Sequence, residues 1–187
     1  MLHFALRMKT VIASLLLAIA LPAIAAEGDH VTAYVTAGKS TTNRHGQDDL
    51  ESLNIDYTRP LHFRWNLQVG SAAAIWRVRQ PQTFFGEGSE TAFAGYLALL
   101  ARHSFAQHGA IEPYIELLSG AMVGNKDIPV DTERFNFNSQ GGGGVFIHSG
   151  AHPIMLGLRI GHISNLVFAE HNPGINYATV VVGVRLR

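Results

Sequence analysis

The sequence has no cysteine, so no disulfide scaffold is possible and an oxidising compartment would find nothing to oxidise. Charge is scarce and balanced, with 14 Lys and Arg against 14 Asp and Glu; no basic excess marks a nucleic-acid partner. The one H-x₃-H spacing, His148 to His152, spans a turn with no Cys or third histidine beside it, so no metal is indicated and no cofactor is called for. Beyond the first residues, no apolar run reaches the ~20 residues of a spanning helix, which excludes a helical membrane protein.

The apolar run that is present sits at the start. Arg7 and Lys9 form a positive region, Val11 to Ile19 an apolar one, and Ala23-Ile24-Ala25 a small-residue cleavage site. This is the pattern of a secretory signal peptide, over residues 1–25. Its apolar core is too short for a transmembrane anchor. Cleavage leaves 26–187 as one domain.

In that domain the apolar residues recur with period 2, the signature of half-buried strands. Val31, Ala33, Val35 and Ala37 alternate with Thr32, Tyr34, Thr36 and Gly38. Leu53, Ile55 and Tyr57 alternate with Asn54, Asp56 and Thr58. Similar alternation begins at Phe63 and Ile111, and it is cleanest from Ala178 to Leu186. Two stretches, 92–104 and 134–148, are apolar or glycine-rich on both faces and show no sidedness. The run Gly141 to Gly144 marks a bulge or a close backbone approach.

Eight strands follow, joined alternately by short turns and longer polar loops. The turns fall at Arg59-Pro60, Gln107-His108-Gly109 and Ser149-Gly150-Ala151. That layout predicts an all-β fold, an eight-stranded antiparallel transmembrane β-barrel of the outer membrane. A soluble lipocalin-type barrel would place the apolar faces inside instead. The polar faces favour the membrane, because Asp56, Arg64, Glu112, Glu116, Arg159 and Arg185 can pair in a narrow interior and leave no pore.

The seventh strand carries the chemistry. Its outward row reads Ile154, Leu156, Leu158, Ile160, His162, Ser164, and its other face Met155, Gly157, Arg159, Gly161, Ile163. A candidate base and nucleophile, two residues apart on one face, thus finish an apolar row. The arrangement suits a substrate that arrives through the membrane.

His162-Ile163-Ser164-Asn165, followed by Asn172-Pro173-Gly174-Ile175, resembles the lipid A 3-O-deacylases, the PagL family of outer-membrane acyl ester hydrolases. The resemblance implies that Ser164 attacks the ester-linked 3-position acyl chain of lipid A in lipopolysaccharide, with His162 as general base. It implies an oxyanion site formed by Asn172 and the backbone N–H of Val167, and a monomer or homodimer as the working state. Where the family has a glutamate, this chain has Asn176, whose parity places it outward beside His162. Asn176 is then the orienter of the imidazole, with Glu170 as the alternative acid. The competing readings are a non-catalytic or weakened structural or binding barrel, and an outer-membrane phospholipase.

Overall fold

The computed structural model describes residues 28–41, 47–61, 66–83, 88–165 and 173–187. Residues 1–25, read above as a signal peptide, and Arg64 lie outside them. Eight strands follow one another: β1 (His30–Ser40), β2 (Asp49–Pro60), β3 (Leu67–Gln80), β4 (Glu90–Ser104), β5 (Ile111–Gly124), β6 (Phe135–Ile147), β7 (Ile154–Ser164) and β8 (Ile175–Arg185). Each pairs antiparallel with its neighbour, and β8 pairs with β1, so the sheet closes into a barrel. Closure leaves no edge, the condition a strand must meet in lipid, where no water satisfies a free N–H or C=O. The strands run from 11 to 15 residues, enough for the ~9–11 that a tilted spanning strand needs. One rim carries the short connections 61–66, 105–110 and 148–153; the other carries 41–48, 81–89, 125–134 and 165–174.

The faces are those of a barrel in lipid. Leu53, Leu97, Leu99, Leu117, Leu158 and Ile160 point outward and are exposed. Asp56, Arg102, Glu116 and Arg159 point inward and are buried. A soluble barrel would show the reverse.

The interior has two storeys. In the lower one, Glu116 holds two arginines: Arg102 Nη2 donates to it at 2.8 Å and Arg159 Nε at 2.7 Å. Arg102 also reaches Asp56 at 2.7 Å, and Arg159 Nη1 donates to the Tyr34 hydroxyl at 3.1 Å. The Arg159 guanidinium lies 4.6 Å from the Tyr34 ring centre, a cation–π contact. Two cations meet two carboxylates, so the buried charge balances. Nearer the short-turn rim, Arg185 makes two bonds to Glu112, at 3.2 and 3.3 Å, and stands 3.8 Å from the Phe146 ring centre. The expected pairing of Arg159 and Arg185 with Glu116 and Glu112 is observed; Arg102, at the centre of the network, was not anticipated.

In the upper storey apolar side chains predominate, with buried amides such as Asn138 and Gln80 among them. Trp76, Val78, Ala92, Ala94, Leu100, Leu118 and Met122 fill it, and Ile128 of the 125–134 loop packs down among them. Trp76 meets Tyr96 and Tyr177 edge-on, at 6.4 and 5.6 Å. This storey explains why 92–104 has no readable sidedness: small apolar side chains of β4 face inward against Trp76 while Phe93, Leu97 and Leu99 face lipid. In β6 the glycine run is paired in register throughout and forms no bulge. Its inward Gly142 leaves room for Arg159, whose Cγ would lie 2.8 Å from an added Cβ.

Breaking a buried ion pair by removing one partner costs about 3–5 kcal/mol, because the other charge is left stranded. Arg102→Met strands Asp56 and leaves Glu116 with Arg159 alone, so its unfolding midpoint in urea, measured in detergent, is expected to fall clearly below the wild-type value. An unchanged midpoint would mean that the network does not stabilise the barrel.

Candidate active site

His162 lies on the outer face of β7, two residues from its end, at the longer-loop rim. Three strands fix its surroundings. It pairs in register with Asn176 of β8 on one side and with Ser139 of β6 on the other. Directly opposed residues on one face of an antiparallel pair are side-chain neighbours. The Asn176 pairing becomes a contact: His162 Nδ1 and Asn176 Oδ1 are 2.6 Å apart. An amide oxygen only accepts, so Nδ1 carries the hydrogen and donates, and Nε2 is left with its lone pair. That is the tautomer a general base needs.

Asn176 is held in turn. Its carbonyl accepts from the Thr41 backbone N–H at 2.7 Å and from the Thr41 hydroxyl at 3.2 Å. The first residues of β8 are thereby pinned across the seam to the end of β1. Behind the site, Gly161 leaves space for the Tyr177 ring. The Tyr177 hydroxyl donates to Asn138 Oδ1 at 2.6 Å. The wall from which His162 projects is thus backed by a packed, hydrogen-bonded aromatic.

Ser164 shares the His162 face but is only 6 % exposed, opposite Phe137 in the β6–β7 register. His162 and Asn176 are exposed. Asn165, the residue after Ser164, is buried. Val167, Glu170 and Asn172 lie outside the described residues. No group of three or more His, Asp or Glu side chains fit to hold a metal occurs among the described residues.

An open depression of about 1090 Å³ adjoins His162 and Asn176, lined also by Leu117, Ser119, Ser139, Gly141 and Ile160. Its floor is the outer face of β6. Gly141 faces Leu117 on one flank and Ile160 on the other; Gly143 faces Ile115 and Leu158. Two bulky rows with glycine between them make a trough that leads away from His162. At its head the Ser119 and Ser139 hydroxyls are hydrogen-bonded at 2.8 Å, a polar pair on an apolar face.

Of the expected site residues, the fold brings His162 and Asn176 into contact and sets Ser164 on their face. Sequence reasoning missed Thr41, Ser119 and Ser139. They become neighbours only through strand register, which no short motif encodes.

A family model described as lipid A 3-O-deacylase (PagL) matches residues 51–185. In structure, the chain is similar to the crystal structure of the outer membrane enzyme PagL, with a TM-score of 0.63 and 18 % identity over 81 % of this chain and 97 % of that one. It is also similar to the crystal structure of Neisserial surface protein A (NspA), with a TM-score of 0.65 and 14 % identity over 85 % and 96 % of the two chains. No curated protein matches it in sequence.

The Asn176 contact is directly observable. In wild type, the His162 imidazole is expected to give ¹⁵N resonances of a single Nδ1–H tautomer. Asn176→Ala should leave the unfolding midpoint within error but shift those resonances toward a tautomer mixture. Identical spectra would show that Asn176 does not orient the ring.

Proposed function

The chain belongs to the lipid A 3-O-deacylase (PagL) family, and from that premise we propose that it is a serine-type esterase of the outer membrane. Its substrate is the ester-linked acyl chain at position 3 of lipid A, in the outer leaflet. The observation that carries this reading is the 2.6 Å contact of His162 Nδ1 with Asn176 on the lipid-facing side of the barrel. A structural barrel gains nothing from an oriented imidazole there, and polar groups facing lipid are costly.

The chemistry follows from the tautomer. Nε2 takes the proton of Ser164 Oγ as that oxygen bonds to the ester carbonyl carbon, and the carbonyl π pair moves onto its oxygen. By the family resemblance, the Asn172 side chain and the Val167 backbone N–H receive that oxyanion. Collapse breaks the bond to the sugar oxygen, which leaves with the proton returned by His162. Water, deprotonated by the same imidazole, then releases the fatty acid and restores Ser164. The trough of Ser139, Gly141 and Gly143 suits the acyl chain, since its flanks are aliphatic.

An asparagine supplies one half of what an acid supplies. In serine proteases, exchanging the triad aspartate for asparagine costs about 10⁴ in rate, largely because the imidazole takes the wrong tautomer. The placement of Oδ1 against Nδ1 supports the Nδ1–H tautomer, and what Asn176 does not supply is the charge. Glu170 is the alternative source of that charge. The leader is removed after Ala25, so the mature chain starts near Ala26, and the longer-loop rim faces outward. The competing reading, a weakened or non-catalytic barrel, draws on the missing carboxylate. A phospholipase would use the same site on a different ester.

Acyl release from lipid A in mixed micelles tests the proposal. Ser164→Ala and His162→Ala are expected to abolish it while the barrel still folds. Asn176→Glu should match or exceed wild type, because a carboxylate stabilises the imidazolium of the transition state. If Glu170 is the acid instead, Glu170→Gln causes the larger loss and Asn176→Ala is nearly silent. If neither wild type nor Asn176→Glu releases an acyl chain from lipid A or phospholipid, the hydrolase reading fails.

A further inference from the structure

The imidazole of His162 has a second neighbour besides Asn176. Gly174 lies in the last turn before β8 with φ +60°, and a Cβ built on it would stand 2.7 Å from His162 Cε1 and 3.2 Å from Nε2. The first distance is shorter than real Cβ atoms keep. We infer that Gly174 is a positioning residue for the hydrolysis: its bare α-carbon is the wall against which the Nε2 edge of His162 rests. This rests on the esterase reading given above.

The conflict that a side chain at 174 would create has to be resolved by the imidazole. Ile175 and Asn176, directly after Gly174, are locked in the ladder opposite Ile163 and His162. The same Cβ would also come within 3.3 Å of the Ile163 carbonyl oxygen, so the turn is closed on the strand side as well. Pro173, just before, has a ring-fixed φ. The backbone therefore has little freedom to move away. The ring is clamped between a hydrogen bond at Nδ1 and a glycine at Cε1 and Nε2, and pressure on the second contact turns the ring or opens the first.

Positive φ is a second reason for glycine at this position, and the two reasons can be separated. Gly109, in the connection between β4 and β5, has φ +61°, and a Cβ there would meet nothing within 4 Å. Gly109→Ala thus carries the same backbone penalty without the steric one. Gly174→Asn is the complementary variant, because asparagine tolerates this φ better than other side-chain-bearing residues but still brings a Cβ.

The experiment compares wild type, Gly174→Ala, Gly174→Asn and Gly109→Ala, each checked for the folded barrel by heat-modifiable gel migration. Acyl release from lipid A micelles gives kcat and KM, and the His162 Cε1–H resonance reports the ring directly. Both Gly174 variants are expected to lose kcat by about 100-fold, as a displacement of about 1 Å does. Their KM should stay within about twofold, because uniform substrate binding is not touched, and the Cε1–H resonance should shift. Gly109→Ala should match wild type in all three. Unchanged kcat and resonance in the Gly174 variants, or an equal loss in Gly109→Ala, would overturn the assignment. If wild type releases no acyl chain, the esterase reading fails by itself. The resonance then still decides whether Gly174 positions the ring.

Discussion

The fold depends on Glu116 holding Arg102 and Arg159 at the barrel's centre. An eight-stranded barrel is too narrow for a water channel, so its interior has to be filled with side chains. When the outer face must satisfy lipid, polar residues remain for the inside, and they stand only if their charges cancel. Two arginines against Glu116 and Asp56 achieve this at distances of 2.7 to 2.8 Å. The balance is what allows β7 to carry Arg159 on one face and an aliphatic row ending in His162 on the other.

The interior also supports the proposed site outside. Tyr177 fills the space behind Gly161, and the strand that supplies Tyr177 supplies Asn176 on its opposite face. Packing within therefore fixes the orienting amide without. A hydrogen bond in surroundings of low dielectric is electrostatically stronger than one in water. An asparagine can thus hold the imidazole where an exposed loop would let it turn. What it lacks is the negative charge.

Much of this was legible in the sequence because a strand has period 2. Once β7 is read as a strand, parity alone puts His162 and Ser164 with the lipid-facing residues and Arg159 inside. The same parity put Asn176 outward on β8, next to His162. Legibility failed where one face did not differ in polarity from the other. Ala92, Ala94 and Leu100 face the mainly apolar upper storey around Trp76, and Gly142 and Gly144 face inward with no side chain. Strand β4 and the glycine run of β6 consequently carried no sidedness for a reader to detect, although Asn136, Asn138 and Gln140 alternate with Phe135, Phe137 and Ser139 before that run. The neighbours that come from register were hidden for another reason: Thr41 meets Asn176 across the barrel seam, 135 residues away in the chain. Steric fit was hidden too, since Gly174 in an Asn-Pro-Gly turn reads only as a turn. Val167, Glu170 and Asn172 lie outside the described residues; the roles of Val167 and Asn172 rest on the family resemblance, and that of Glu170 on its place in the sequence six residues before Asn176.

The central claim is that an imidazole oriented by an amide, on the outer face of a barrel, acts on the lipid around it. Mass spectrometry of lipid A from cells with and without this chain tests it most directly, because it reads the product where substrate and membrane are native. The account predicts a lipid A species lighter by one 3-hydroxyacyl chain, present only when the chain is made. Identical lipid A profiles, with the barrel assembled in the outer membrane in amounts verified by immunoblot, would contradict it.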